Sequence, residues 1–379
     1  MKKSLFASAS TFFLVLLCMG IKAQTKGFEQ EIEKMIQDNK AMGLSVAVVK
    51  HHKIIYSKSF GWKDKESQQP LMEDHIFRIA SISKSFSATS IMQLVEAKKI
   101  SLEDDVSNLI GFKVRNPKFP ETVITLRMLL SHLSSINDSE GYFSLDFINP
   151  AKNPNWAKCY SDYEPGKGYR YCNLNFNMVG TIIERVSGER FDQYVKHHVL
   201  DPLGLYGGYC VDSLDRNRFA TIYEYGNNGQ YTAAPAAYAS RSEELQKYVR
   251  GYSTPIFSPT GGMKISAKDL AQYMIMHSRM GKYKGKRILS RSSAAEMQTP
   301  LSSDENYGLA IETTDKMIPG KSMKGHTGVA YGLFSAMYFH TKEKFGIVVI
   351  SNGCDPQYEE GYNAVIRKTI NSLYKGLIQ

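Results

Sequence analysis

The chain has 379 residues, 42% of them hydrophobic and 22% charged, an ordinary globular composition that excludes disordered, collagen-like and low-complexity classes. The length suffices for one large domain or two small ones with a sizeable core. The formal charge of +10, from 47 Lys+Arg against 37 Asp+Glu, is modest for this size. No Lys/Arg run is interleaved with aromatics and no nucleic-acid motif appears, so the excess bears on solubility rather than on nucleic-acid binding.

Residues 1–23 read as an export signal. Lys2 and Lys3 form the basic start, an uncharged stretch runs from Ser4 to Ile21, and Ala23 offers a small residue for cleavage before Gln24. The stretch is short for a bilayer span, which takes about 20 apolar residues. The expected location is therefore across the inner membrane, in the periplasm, with no stable span after cleavage and an uncleaved anchor as the alternative. Phe28, Ile32, Met35 and Ile36 recur at helical spacing over residues 26–40, and Gly43 is read as the helix stop. Leu44–Val49 and Ile54–Phe60 suggest an antiparallel hairpin. Helical patterns follow at Ser83–Glu96, Leu126–His132 and Leu174–Val186, and residues 205–258 read as loops with short elements. Leu333–Phe339 and Phe345–Ile350 flank a charged turn, and Ile366, Ile370, Leu373 and Leu377 stripe a last helix. The pattern predicts an α/β chain of the α+β kind. One antiparallel sheet is built from both termini (24–75 and 256–379) and flanked by the N- and C-terminal helices, with a helical subdomain (76–255) inserted between its halves. A site made from both parts must lie in the groove between them.

Three short motifs carry chemistry. In Ser81-Ile82-Ser83-Lys84 the amine sits one helical turn from the hydroxyl and can take its proton, and the start of a helix supplies free N–H groups for an oxyanion. Ser372-Leu373-Tyr374-Lys375 has the same spacing on the last helix, where a solvated lysine is the plain reading. In Tyr171-Cys172-Asn173 a tyrosinate held among cations can shuttle a proton and the amide can hold a carbonyl. His326-Thr327-Gly328, just before the late strand pair, offers a hydroxyl, an imidazole that is partly charged at neutral pH, and a glycine that lets a substrate backbone lie close.

In this order the motifs resemble those of the penicillin-recognising serine hydrolases, nearest the group of class C β-lactamases, D-Ala-D-Ala carboxypeptidases and esterases. The resemblance runs from about residue 28 to the end and includes Phe77-Arg78-Ile79-Ala80, Thr125–His132, Pro202–Leu205, Gly261-Gly262-Met263 and Ile350–Gly353. It implies a β-lactamase/transpeptidase-like fold and acyl transfer through a serine ester. Ser81 would be the nucleophile, with Lys84 and Tyr171 sharing the proton. Asn173 would orient the substrate amide, His326, Thr327 and Gly328 would line the substrate wall, and the backbone N–H groups of Ser81 and Val329 would form the oxyanion hole. The substrate implied is a D-amino-acid peptide or related amide, β-lactams included. An esterase, or a binding protein that keeps the fold, are the alternatives. His326 departs from the lysine of class C β-lactamases, and Leu133-Ser134-Ser135 departs from the family's usual loop. The aromatic segments Tyr142–Phe147 and Tyr223–Tyr238 are expected to shape the pocket.

Cleavage leaves Cys159, Cys172, Cys210 and Cys354, which allow three full pairings or remain buried thiols. His51–His52 and His197–His198 lack the spacing of a metal site, so neither metal nor cofactor is expected. The only partner implied is a small-molecule or peptide substrate.

Overall fold

The structure is a computed structural model that describes residues 27–379 except 39, 303 and 304; the export signal read at 1–23 lies outside the described residues. The elements used below are helix α1 (27–37), strands β1 (Ala41–Lys50), β2 (Lys53–Asp64) and β3 (Gln69–Pro70), and helices α2 (Ser83–Glu96), α3 (Asn173–Ser187) and α4 (Ala267–Ser278). After them come strands β4 (Glu312–Thr314), β5 (Met323–Ala330), β6 (Leu333–His340) and β7 (Phe345–Cys354), and helix α5 (Ala364–Leu377).

The strands make one antiparallel sheet in the order β4-β5-β6-β7-β1-β2-β3, so the two ends of the chain meet where β1 pairs with β7. Side chains alternate across a strand, and β1 and β7 are apolar at nearly every position because both faces are covered. Leu44, Val46, Val48, Ile347 and Val349 face one core, with Phe28 and Ile32 of α1 and Ile366, Ile370 and Leu373 of α5. Ala47, Val49, Val348 and Ile350 face the other, with α2, α3 and α4. Burying each such aliphatic side chain contributes about 1.5–3 kcal/mol, and this holds the helical layer against the sheet.

Gly43 does not stop a helix. It lies inside β1 at a register shift, where a Cβ would come within 2.8 Å of both Asn352 Oδ1 and the Trp62 carbonyl. The strand β5 and the helix α4 were not read from the sequence. The His326–Gly328 tripeptide stands before the strand pair, as read, and is itself part of the strand β5. All four described cysteines are free and buried, which is the thiol reading rather than any of the pairings. No helix among the described residues is long and apolar enough to cross a membrane.

Candidate active site

The backbone just before Ser81 is held from two sides. Phe77–Arg78 pairs with Lys264–Ile265, and Ile79 N–H donates to the Met263 carbonyl at 2.9 Å. From the sheet side, Ser335 Oγ donates to the Ile79 carbonyl at 3.0 Å. Between these clamps Ala80 takes a left-handed conformation, φ +50°, which costs a residue with a Cβ roughly 1–2 kcal/mol. Ser81 therefore sits in a single 3₁₀ turn, Ala80–Ile82, that runs into α2, rather than on the α-helix itself.

Gly328 explains part of the clamp. A Cβ there would lie 2.2 Å from the Ile79 carbonyl oxygen and 2.5 Å from Ser335 Oγ. The space the glycine leaves is thus filled by the chain's own Ile79–Ala80 segment, not kept for a substrate backbone. Gly328→Ala should cost about 3 kcal/mol, a Tm fall of roughly 4 °C for a chain of this length, because backbone cannot step aside as a side chain end can. Thermal unfolding checks this, and the same variant should label Ser81 more slowly with a fluorophosphonate; an unchanged Tm would show that the turn is not clamped.

Lys84 is fully buried on α2. Its Nζ lies 3.0 Å from Ser81 Oγ, 2.9 Å from Asn173 Oδ1 and 3.0 Å from the Thr260 carbonyl. Among the described residues no carboxylate touches it, and burial pushes its pKa down to about 7, against a smaller upward pull from Asp138. The two oxygens of Asn173 and Thr260 can only accept. A neutral amine donates to both and leaves its lone pair for the Ser81 hydroxyl.

Asn173 is itself fixed at both ends. Its Oδ1 takes Lys84 and the Thr260 hydroxyl (2.8 Å), and its Nδ2 donates to Asp138 Oδ2 at 3.0 Å. Its oxygen orients Lys84, and one of its two N–H groups is held by Asp138 while the residue lines the cavity. Asp138, from the Asn137-Asp138-Ser139 turn, also accepts from the backbone N–H groups of Asn173 and Leu174 at the start of α3 and from Cys172 Sγ at 3.1 Å. Cys172 is thus a buried thiol turned toward Asp138. Sequence reasoning missed Asp138, which stands beside Glu140 in a polar turn 35 residues ahead of the helix it caps.

Tyr171 is 37% exposed, and its ring centroid stands 4.7 Å from Lys84 Nζ. Although the residue as a whole is part exposed, desolvation of its hydroxyl in the cavity holds the phenol above the ordinary range, against the hydrogen bond it shares with Ser81. The resting group is a neutral phenol, not the tyrosinate read from the sequence. His326 is also neutral: burial and the Lys84 charge push its pKa down to about 3. Tyr307 Oη donates to its Nε2 at 2.9 Å, and its Nδ1 donates to the Thr327 carbonyl. The partial charge expected at His326 is absent.

Ser81, Tyr171, Asn173, His326, Thr327 and Val329 line one cavity of about 850 Å³. Lys84 does not line it but contacts Ser81 and Asn173, which do. Val329 is half exposed on β5, and β4 pairs only with Met323–Gly325, so among the described residues no strand covers that edge at 326–330. Tyr142 and Phe143 line the cavity as expected, but Tyr223–Tyr238 does not; Tyr223 is buried against Gly332 and Gly353, and Tyr238 stacks on Phe219. The Leu133–Ser135 loop keeps a left-handed residue at Ser135, φ +59°, with its hydroxyl accepting from Asn116 at 3.0 Å. The rival pair diverges: Ser372 bonds Glu31, and Lys375 is exposed. His197 and His198 both bond Glu189.

A sheet built from both termini, a serine on the cavity with a buried lysine three residues on and a phenol beside it define a β-lactamase/transpeptidase-like protein. The chain belongs to the Beta-lactamase family, whose model matches residues 28–370. Protein flp of Staphylococcus aureus (strain N315) is 23% identical over 86% of this chain, which spans 64% of that relative's length. EstCE1, a hydrolase with promiscuous acyltransferase activity, superposes with TM-score 0.73 at 21% identity, over 94% of this chain and all of that one. The D-amino acid amidase from Ochrobactrum anthropi SV3 superposes with TM-score 0.69 at 21% identity, over 92% of this chain and 98% of that one. At such identity these two structures establish the fold.

Proposed function

We propose that the protein is an exported serine hydrolase that cleaves amides or esters through an acyl-enzyme at Ser81. The observation that carries this is the contact of Ser81 Oγ with a buried Lys84 amine that has no acid partner and a pKa near neutrality. The Ser81 oxygen attacks the scissile carbonyl as its proton passes to Lys84 Nζ. The backbone N–H groups of Ser81 and Val329 bind the oxyanion. Lys84 and Tyr171, whose ring stands 4.7 Å from the amine, return the proton to the leaving atom. Water then cleaves the ester by the same route in reverse. Asp138 and Asn173 act as positioning residues, since they fix Lys84 without reaching the reacting atoms. Export rests on the basic and apolar leader of residues 1–23.

Small amides and esters, D-amino-acid derivatives included, suit this cavity better than β-lactams or peptides ending in a carboxylate. The His326–Thr327 wall offers a carboxylate a hydroxyl but no cation, since His326 is neutral, and the one cation among the residues lining the cavity, Arg78, stands elsewhere on it. The esterase on the same scaffold is the second reading, favoured by the same wall. A turnover panel of a D-Ala-D-Ala peptide, nitrocefin, a D-amino acid amide and short p-nitrophenyl esters tests the choice. The expected order puts the amide or the esters at least about tenfold above the other two in kcat/KM, the loss of one good charged hydrogen bond. A leading D-Ala-D-Ala peptide or nitrocefin would overturn this assignment of substrate.

A further inference from the structure

The cleft has opposite, unpaired charges at its two ends. Arg78, buried three residues before Ser81, lines it beside Ser258, Gly261 and Tyr331. Its Nε donates to the Gly261 carbonyl at 3.0 Å, its Nη2 to Ser258 Oγ at 3.3 Å, and its guanidinium lies 5.0 Å over the Tyr331 ring. No carboxylate stands near it among the described residues. At the other end are Glu312 and the exposed Glu305, close to the phenols of Tyr169 and Tyr307. There the cleft opens past Thr327 into a second hollow of about 600 Å³, to which Asp315 and Glu360 add further carboxylates against the one lysine, Lys316.

Glu312 is a placed group rather than a surface acid. It stands opposite Gly325, which stands opposite Tyr338 on β6, so the three form one row across three strands. A Cβ on Gly325 would lie 2.8 Å from Tyr338 Cδ1. Without it, the buried Tyr338 ring crosses the strand and its hydroxyl donates to Glu312 Oε1. No Lys, Arg or His neutralises this carboxylate among the described residues, and burial with the nearby Glu305 raises its pKa to about 7. A carboxylate fixed by Tyr338, uncompensated, near the phenols of Tyr169 and Tyr307 and on the rim of the cavity that holds Ser81, lacks a cation.

We propose that the substrate carries an ammonium group and that Glu312 binds it, at the end of the cleft opposite Arg78. This rests on the acyl-enzyme reading of Ser81 and names the substrate class for it: an ester or amide with a primary or quaternary amine on one side of the scissile bond. The aromatic lining of Tyr169 and Tyr307 suits either kind of amine. Arg78 at the far end sets the polarity, so that a carboxylate on the same substrate would lie away from Glu312.

Two substrate pairs test it on the purified enzyme, one removing the charge by acetylation and the other by replacing the quaternary nitrogen with an isosteric carbon. D-alanine p-nitroanilide against its N-acetyl form places the ammonium on the acyl side, and butyrylcholine against 3,3-dimethylbutyl butyrate places it on the leaving side. At least one pair should show a tenfold or greater preference in kcat/KM for the charged member, mostly through KM. Glu312→Gln should bring that ratio toward one, and Glu305→Gln should lower it less. Equal turnover of both members of both pairs, or a preference that survives Glu312→Gln, overturns the inference. Fluorophosphonate labelling of Ser81 in each protein separates the two failures. A variant that labels normally keeps its site intact, whereas a parent that does not label at Ser81 loses the acyl-enzyme reading and this inference with it.

Discussion

Ser81→Ala abolishes covalent labelling by a fluorophosphonate and reduces ester turnover to the uncatalysed background. The expectation follows from what the oxygen touches. Ser81 Oγ lies 3.0 Å from Lys84 Nζ and shares a hydrogen bond with Tyr171, and among the described residues no other hydroxyl of the cavity bonds that amine. The Thr260 hydroxyl is spent on Asn173, and the Ser258 hydroxyl meets Arg78. The fold should survive, because one lost hydrogen bond costs about 1 kcal/mol and Lys84 keeps Asn173 and Thr260. Circular dichroism and Tm verify that the variant is folded. Labelling equal to the parent's would move the nucleophile elsewhere. Ser372→Ala is the matched control, since its Lys375 is solvated and should activate nothing.

What the sequence made legible divides by range. The extent of α2 was read to the residue, and the last helix was read from its apolar stripe, because both depend on spacing along one segment. Ser81 and Lys84 belong to that class, being three residues apart. Asp138 and Glu312 do not. Asp138 is a helix cap delivered from a distant turn, and Glu312 matters only because β4 lies in register with β5 and Gly325 lets Tyr338 through. Nothing local marks either. Gly43 and Gly328 show the converse: a glycine in a sequence says only that something comes close. In both cases that neighbour is the chain's own backbone, Trp62 and Ile79. Burial, equally invisible in a single sequence, turned an expected charge at His326 into a neutral ring and an expected tyrosinate at Tyr171 into a phenol.

Lys84→Ala should slow acylation by roughly 10²–10⁴-fold, the usual worth of a positioned base, and Lys84→Met, which fills the same volume, should do the same without leaving a hole beside Asn173. The stronger test is pH. Only the neutral amine can take the serine proton, so the parent's acylation rate should rise with pH and be half-maximal near pH 7, where burial sets the Lys84 pKa. An unburied lysine would place this limb near pH 10.4. Two pH units below the midpoint the neutral fraction, and the rate with it, should be about one hundredth of the plateau. His326 and His132 do not supply the limb, because burial and the Lys84 charge hold both well below neutrality. Glu312 titrates in the same range, so the profile is measured with an uncharged p-nitrophenyl ester, and the limb should persist in Glu312→Gln. Asp138 raises the Lys84 pKa through space, so Asp138→Asn should move the limb to lower pH. A profile flat from pH 5 to pH 9, or a limb that moves upward in Asp138→Asn, would leave Lys84 without the role of base.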